Sequence, residues 1–477
     1  MVGIVSVGAY IPVYRLSQAI IAGVWGGRGG KAEKAVANFD EDSITMAVGA
    51  GRECLKGMDA GRIDALFFAS TTPPYKEKQS ASIVAAGLDL REGIFSADIS
   101  GSLRSGTIAL KTALEMVKSG SVRSALVTAS DCRIAPPNSR FEPSFGDGAA
   151  AFLIGKEGVV AEIEGSYYLT SEFLDYWRLE QDKIIRAWED RFIREAGFLP
   201  YTERAVSGLL KANNLTSKDF ARIVYSAPNA SLHRAVLKPL GFDAKTQVQP
   251  PLFDLVGNTG AAFAPMLLVA SLEQAEPGER ILLSNYGDGA EAHILRITDG
   301  IRKVKENKSF KKNLGSKLML DNYGKYLKFR DLMEFEHTPD FRQRTYLPQM
   351  WRDRQWGYRF HGHKCRQCGK EQFPMQKRCM YCAAAGEFLE DIPLADREGT
   401  LFTYSIDDRA PVVDPPNVLA AVSLGGGARF YSQVTDRDIH ALKVGMPMEL
   451  TFRRIHDALG IHNYFWKCRP KREPAGE

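Results

Sequence analysis

A nine-residue segment recurs in altered form within the first three hundred residues of this 477-residue chain, and the repeat restricts the fold more than any other feature. Gly146-Asp147-Gly148-Ala149-Ala150-Ala151-Phe152-Leu153-Ile154 returns as Gly287-Asp288-Gly289-Ala290-Glu291-Ala292-His293-Ile294-Leu295. Each copy follows a short apolar run with the character of a buried strand, Ser124–Ser130 and Arg280–Asn285. Each is also preceded by a Gly/Ala-rich segment with apolar residues at helical spacing, Ser105–Val117 and Gly257–Ser271. Ala65–Ser70 and Arg222–Ser226 are earlier strand candidates, so helix, strand, helix and strand recur in one order twice. A duplicated α/β unit with continuously apolar strands predicts mixed sheets covered by helices on both faces. The small residues of the Gly/Ala-rich helices predict close central packing. Asp42 is expected to cap a helix running to Lys56.

The cysteines are distributed unevenly. Of seven, four fall between Cys365 and Cys382, as two Cys-x-x-Cys pairs separated by ten residues. This spacing sets four thiolates at the corners of a tetrahedron and predicts a closed structural zinc site of Cys365, Cys368, Cys379 and Cys382. A filled coordination sphere builds fold rather than activating water. Loss of the site is expected to unfold the C-terminal module and leave the first 300 residues folded. Reduced cysteines in this pattern, no leader in the opening residues and no apolar run of about 20 residues predict a cytoplasmic chain without a membrane partner. A net charge of +5 is too mild to argue for nucleic acid. Part of it is local, in Arg302, Lys303, Lys305, Lys308, Lys311, Lys312 and Lys317, which reads as an exposed linker.

The duplication, the opening Gly3–Leu16 (GIVSVGAYIPVYRL), the segment Asp40–Val48 (DEDSITMAV) and Gly257-Asn258-Thr259-Gly260 together resemble the thiolase superfamily. The branch they are most similar to is that of 3-hydroxy-3-methylglutaryl-CoA synthases and ketoacyl synthase III. The resemblance implies a five-layered αβαβα body, an acyl-CoA site between the halves and a homodimer formed through the first half. Residues from about 350 onward resemble a second family, an acyl-CoA-associated rubredoxin-like zinc ribbon followed by an OB-fold. The strand candidates Gly399–Tyr404, Val418–Leu424, Arg429–Val434 and Val444–Phe452 would by themselves suggest a small β-barrel. The expected domains are 1–163 and 164–300 for the two halves, 301–350 for a basic linker and connecting helix, 351–392 for the ribbon and 393–472 for the OB-fold.

The same resemblance implies a cysteine nucleophile, a glutamate, a histidine and an asparagine, and this chain departs from three of the four. Leu103 occupies the nucleophile position in Ala97–Thr107, Thr71 the glutamate position and Ser226 the histidine position. Only the asparagine is present, as Asn258. Leucine has no nucleophilic atom, so the expected chemistry is non-covalent: aldol or retro-aldol reaction of a β-hydroxyacyl-CoA, with a base for the hydroxyl and an oxyanion site for the thioester enolate. The alternatives are a non-catalytic CoA-binding or scaffolding subunit beside a complete thiolase, or a hydroxymethylglutaryl-CoA-synthase-like condensing enzyme using Cys132. Candidate catalytic residues are Asn258, Tyr75, Tyr286 and Ser226. Tyr225, Cys132, His233 and His293 are further acid/base candidates. The aromatic stretch Tyr167–Arg178, which carries Glu172 and Asp175 and joins the halves, is expected to contribute to the pocket.

Overall fold

The computed structural model describes residues 1–333 and 345–472. Its body is one nine-stranded mixed sheet. Across the sheet the strands run Arg222–Tyr225, Arg280–Tyr286, Gly289–Ile297, Ala161–Thr170, Gly3–Tyr10, Asp147–Gly155, Ala125–Cys132, Ala65–Ala69 and Phe95–Ile99. The duplication is visible in the strand directions. In the first half Gly3–Tyr10 pairs antiparallel with Asp147–Gly155, which pairs antiparallel with Ala125–Cys132, which pairs parallel with Ala65–Ala69. In the second half Ala161–Thr170, Gly289–Ile297, Arg280–Tyr286 and Arg222–Tyr225 repeat that series. Even the edge strand Phe95–Ile99 has a remnant counterpart, a parallel bridge from Ile223 to Val248. The halves meet at a seam of two residue pairs, Gly3 with Glu162 and Ile4 with Ala161.

Helices Ser105–Lys118 and Phe263–Leu272 contact each other in the central layer, and all ten residues of the second are buried. Gly106 permits this closeness, because a Cβ there would lie 2.6 Å from the Ala261 carbonyl oxygen. Helix Ser43–Leu55 covers the sheet of the first half, and Leu199–Ala212 that of the second. Asp42 caps the former through Thr45 N–H at 2.9 Å, completing a capping box.

The basic run beginning at Arg302 is not an exposed linker. Helices Arg302–Asn307 and Ser309–Gly315 pack on the first strand, where Ala9 N–H donates to Ser309 Oγ at 3.2 Å and Asn313 Nδ2 donates to Ala9 O at 3.2 Å. Leu318–Leu320 then pairs parallel with Tyr14–Ser17. Ile301, Val304 and Phe310 are buried between the lysines, while Lys312 and Lys317 reach Glu53 and Glu33 at 3.2 and 2.7 Å. The cations therefore screen an apolar stripe that holds the segment down. Part of the 301–350 stretch, residues 334–344, lies outside the described residues.

Strands His361–Cys365, Glu371–Gln372 and Leu389–Pro393 form the ribbon. Gly399–Asp407, Asn417–Ser423, Arg429–Gln433, Pro447–Ala458 and Ile461–Pro470 form a five-stranded barrel, closed by a bridge between Val434 and Cys468. The barrel is not an independent appendage. Ile44, Val48, Leu66 and Phe68 of the body share one apolar core with Phe360, Phe430, Phe452 and Trp466. Beside this core lies a buried ionic network around Arg453, which pairs with Asp40 at 3.0 Å, Glu41 at 2.9 Å and Asp436 at 2.5 Å. Lys467 reaches Asp40 at 2.8 Å, and Arg469 reaches Asp436 at 3.0 Å. The expectation that the C-terminal module unfolds alone is corrected on this ground, since body and barrel share both apolar area and counter-charges.

Removing one member of a buried charge cluster leaves its partners uncompensated. Arg453→Met is expected to lower unfolding free energy by about 3–5 kcal/mol, measured by chemical denaturation. Body and barrel should still unfold in one transition. Two separated transitions, with the first at the wild-type midpoint of the body, would contradict the shared core.

Candidate functional site

The site is assembled where strands Ala65–Ala69 and Ala125–Cys132 end and the second half closes over them. Its organiser is the buried carboxylate of Asp131, which accepts six hydrogen bonds. Thr71 N, Thr72 N, Ser70 Oγ and Thr72 Oγ1 donate to Oδ1 at 2.7, 3.1, 2.9 and 3.0 Å. Thr71 Oγ1 and Ala261 N donate to Oδ2 at 2.8 and 2.7 Å. Ala261 belongs to the second half, so one side chain ties both halves together. Gly260, at φ +61°, is required beside it, because a Cβ there would lie 2.2 Å from Asp131 Oδ2. Thr71, in the place where the resemblance puts a glutamate, is thereby a ligand of Asp131 rather than a free acid.

Two adjoining chambers open next to this carboxylate. The inner one, of about 20 Å³, is lined by Leu103, Arg133, Phe145, Ser226, Asn258 and Tyr286 among others. The outer one, of about 160 Å³, is lined by Thr71, Ser102, Leu103, Arg133, Asp175 and Trp177 among others. Leu103 thus stands at the boundary between them, at the start of helix Ser105–Lys118. The second Gly-Asp-Gly loop leans on it, since a Cβ on Gly287 would lie 3.0 Å from Leu103 Cβ. Arg104 holds that loop by donating to the carbonyls of Gly287 and, at 2.9 Å, Asp288.

Of the residues singled out in the sequence, Asn258, Ser226, Tyr286 and Leu103 come together here. Asn258 Oδ1 accepts from Gly260 N at 2.9 Å and from Arg133 Nη1 at 3.3 Å, and its Nδ2 donates to Ala227 O at 3.2 Å. Ser226 Oγ donates to Asn285 Oδ1 at 2.6 Å and accepts from Tyr286 N at 3.0 Å. The Tyr286 phenol is buried, and desolvation, reinforced by Asp175, pushes its pKa well above the usual value. Its hydroxyl fits against Gly197, where a Cβ would lie 2.5 Å away, in the π-helical turn Ile193–Phe198. Such turns are concentrated at functional sites. Asp175 is also buried, its pKa raised by desolvation, and its Oδ2 has no hydrogen-bond partner.

The other candidates lie elsewhere. Tyr75 faces the barrel, where its hydroxyl accepts from His462 N at 2.9 Å. Tyr225 and His233 stack at 4.0 Å between ring centroids in the core of the second half. His293 shares a hydrogen bond of 2.9 Å with Ser166 on the neighbouring strand. Cys132 points to the opposite face of its strand, toward Arg330 Nη1 at 3.7 Å, and burial followed by Asp147 raises its thiol pKa. That same alternation aims its neighbours Asp131 and Arg133 into the site. Neither was singled out from sequence, and a period-two reading of Ser130–Arg133 could have found them.

In the ribbon, the Sγ atoms of Cys365, Cys368, Cys379 and Cys382 lie within 4.8 Å of one another, with Cys365–Cys382 at 3.7 Å and Cys368–Cys379 at 3.6 Å. A tetrahedron with metal–sulfur bonds of about 2.3 Å has edges of about 3.8 Å, so the donor set fits zinc. No helix among the described residues is long and apolar enough to cross a membrane.

The layered, duplicated body with a cavity between its halves is that of a thiolase-like protein. Residues 97–172 match the family of 3-oxoacyl-[acyl-carrier-protein] synthase III, residues 210–297 its C-terminal region, and residues 392–453 the C-terminal OB-fold domain of ChsH2. The hydroxymethylglutaryl-CoA synthase of Methanopyrus kandleri is 34% identical over 346 residues, covering 70% of this chain and 98% of the relative. That of Aeropyrum pernix is 36% identical over 341 residues, covering 69% and 94%. The chain belongs to the hydroxymethylglutaryl-CoA synthase family. Among solved structures, an HMG-CoA synthase complexed with CoA superposes with a TM-score of 0.61 at 20% identity, covering 72% of this chain and 94% of that one. The 3-oxoacyl-[acyl-carrier-protein] synthase III of Aquifex aeolicus gives 0.56 at 21%, covering 62% and 100%. These two likenesses establish the fold.

His233 yields a pH test of this geometry. Desolvation, followed by Arg234, pushes its pKa down to about 4, against about 6.5 in the unfolded chain. Between those values the unfolded chain binds more protons at this residue, so stability is full above pH about 6.5 and falls as pH drops toward about 4. The contribution is up to about 3 kcal/mol. Denaturation midpoints of His233→Gln should therefore show a shallower acid decline than wild type. An unchanged slope would contradict a buried neutral imidazole.

Proposed function

We propose that this chain acts on acyl-CoA thioesters by carbon–carbon bond chemistry without an acyl-enzyme, as an aldol or retro-aldol enzyme for a β-hydroxyacyl-CoA. The observation that carries the reading is Leu103 at the boundary of the two chambers, surrounded by polar groups that need no nucleophile to act. The buried carboxylate of Asp175 suits the removal of a β-hydroxyl proton, and the Tyr286 phenol, which keeps its own proton, suits donation to an oxygen of the ligand. The Cα–Cβ bond then breaks, Cβ becomes a carbonyl carbon, and the electron pair passes into the thioester enolate. Asn258, the surviving family residue, suits the enolate oxygen. Return of the proton to Cα completes the cleavage, and the reverse sequence is the aldol addition.

The relatives are named for hydroxymethylglutaryl-CoA synthesis, which favours acyl-CoA substrates here as well. A thiol route through Cys132 is less well supported, because that thiol faces Arg330 and its raised pKa disfavours the thiolate. The narrow inner chamber favours, as a second reading, a non-catalytic CoA-binding subunit of a thiolase complex. The half-exposed Phe95 on the sheet's edge strand suits a homodimer formed through the body.

The test is incubation with a panel of β-hydroxyacyl-CoAs, with intact mass and released aldehyde or ketone as readouts. Turnover with no thioester adduct is expected, and Asn258→Ala should lower kcat/KM by about 10²-fold. An adduct on Cys132 would overturn the non-covalent reading. Silence that ends only on adding a complete thiolase would favour the subunit reading.

We further infer that the four clustered cysteines hold a structural zinc ion. Glu371 N–H donates to Gly426 O at 2.9 Å and Tyr381 Oη to Gly427 O at 2.6 Å, so the metal would brace the ribbon against the barrel. Purified protein should contain about one zinc per chain. Cys368→Ser should lose it and become protease-sensitive between residues 365 and 393, and stoichiometric zinc in that variant would refute the assignment.

A further inference from the structure

Arg133 stands where the two chambers meet. It is 5% exposed and makes no direct ion pair with a described residue, although the carboxylates of Asp131 and Asp175 act on it from farther away. Its Nε has no hydrogen-bond partner, and its Nη1 reaches Asn258 Oδ1 at 3.3 Å. The guanidinium carbon sits 4.1 Å from the centre of the Phe145 ring and 5.9 Å from that of Tyr176. Asp131, the nearest acid along the chain, has its oxygens occupied by the six donors described above. Arg133 lines both chambers, so its side chain borders the space beside Leu103 and Asn258.

A buried arginine that lacks a paired carboxylate carries a desolvation cost, and an anion supplied from outside offsets it. Burial accordingly depresses the pKa of this guanidinium. The planar fork matches two oxygens, or one oxygen with concentrated negative charge. Ser226, at the position where the resemblance implies a histidine, carries no charge, so Arg133 is the cation available beside Asn258.

We propose that Arg133 is the oxyanion receptor of the acyl pocket, binding either the enolate oxygen of the thioester or a carboxylate carried on the acyl chain. The inference rests on the reading of the site as an acyl-CoA site. It adds the class of group that the pocket selects, namely an anionic oxygen at the acyl end of the ligand.

The experiment compares wild type with Arg133→Gln, Arg133→Met and Arg133→Lys, all checked for folding by circular dichroism and thermal melting. Arg133→Met keeps an unbranched apolar stem over Phe145 and serves if the glutamine variant does not fold. One arm titrates acetoacetyl-CoA and reads the ultraviolet band of its enolate, the C2 proton passing to buffer. The other arm compares the Kd of succinyl-CoA with that of butyryl-CoA by calorimetry. Wild type is expected to enrich the enolate or to prefer the carboxylate by about tenfold or more. The neutral variants should lose that effect, and Arg133→Lys should recover part of it. Loss in the first arm alone identifies the enolate, and loss in the second alone identifies an acyl carboxylate. A folded neutral variant within about twofold of wild type in both arms overturns the inference. So does a wild type that binds butyryl-CoA with neither effect, and in that case the acyl-CoA reading stands. A wild type that binds no thioester overturns both.

Discussion

The carboxylate of Asp131 is the constraint on which the site depends. It collects the loop Ser70–Thr72 from the end of one parallel strand and the start of the helical segment at Ala261 from the other half. A buried carboxylate with six donors is well satisfied, and satisfaction of this kind fixes geometry, because each donor lost leaves a polar atom stranded. Asn258 stands three residues before Ala261, with Thr259 and Gly260 between, so the position of the asparagine is set by a residue that need not touch a ligand. Thr71 supplies two of the donors. A glutamate there would bring a second negative charge against Asp131 and could not donate the side-chain hydrogen bond that Thr71 Oγ1 makes.

The ionic network around Arg453 performs the matching task between body and barrel. Arg453 and Asp40 are fully buried, and Tyr10 Oη sits among Arg453, Arg469 and Arg472 at 3.2, 2.9 and 3.2 Å. Such clusters add little net stability relative to apolar packing, but they penalise any docking that leaves one member unpaired. The result is a single relative placement of barrel and body, with the apolar core of Phe452 and Trp466 supplying the favourable area. Asp414 and Arg437, paired at 2.8 Å, extend the same principle within the barrel.

Much of the architecture was legible in the chain because it depends on local pattern. The Gly-Asp-Gly repeats mark the entries to two equivalent strands, Asp42 caps where a cap was expected, and the cysteine spacing places four sulfurs together. The site was legible only in part. Leu103, Ser226, Asn258 and Tyr286 lie on repeated motifs, and a resemblance can locate them. Arg133 and Asp131 were missed because attention to Cys132 as a nucleophile hides what a strand does to its neighbours, namely turn them to the other face. Tyr75 illustrates the opposite error. It follows the loop that enters the site, but its hydroxyl reaches His462, 387 residues away in sequence, which no local pattern reports. The lysine run after Ile301 misled for a related reason, since composition counts the exposed cations and overlooks the buried Val304 and Phe310 between them.

The chemistry of the pocket follows from how charge is distributed within it. A covalent thioester route needs a nucleophile lowered in pKa by a helix start or a neighbouring cation. Here the start of helix Ser105–Lys118 presents Leu103, and the cation that lines both chambers, Arg133, lies beside Asn258 rather than beside a thiol. Cys132, the cysteine nearest in sequence, is held on the other face with its proton retained. On the proposed reading the groups lining the pocket suit the stabilisation of negative charge on oxygen, and Leu103 at the helix start has no atom that could form a bond to carbon. General-base removal of the β-hydroxyl proton, on the aldol reading proposed above, acts together with electrostatic preorganisation around the enolate oxygen, which suits the making or breaking of a bond between two substrate carbons and not the transfer of an acyl group through the protein.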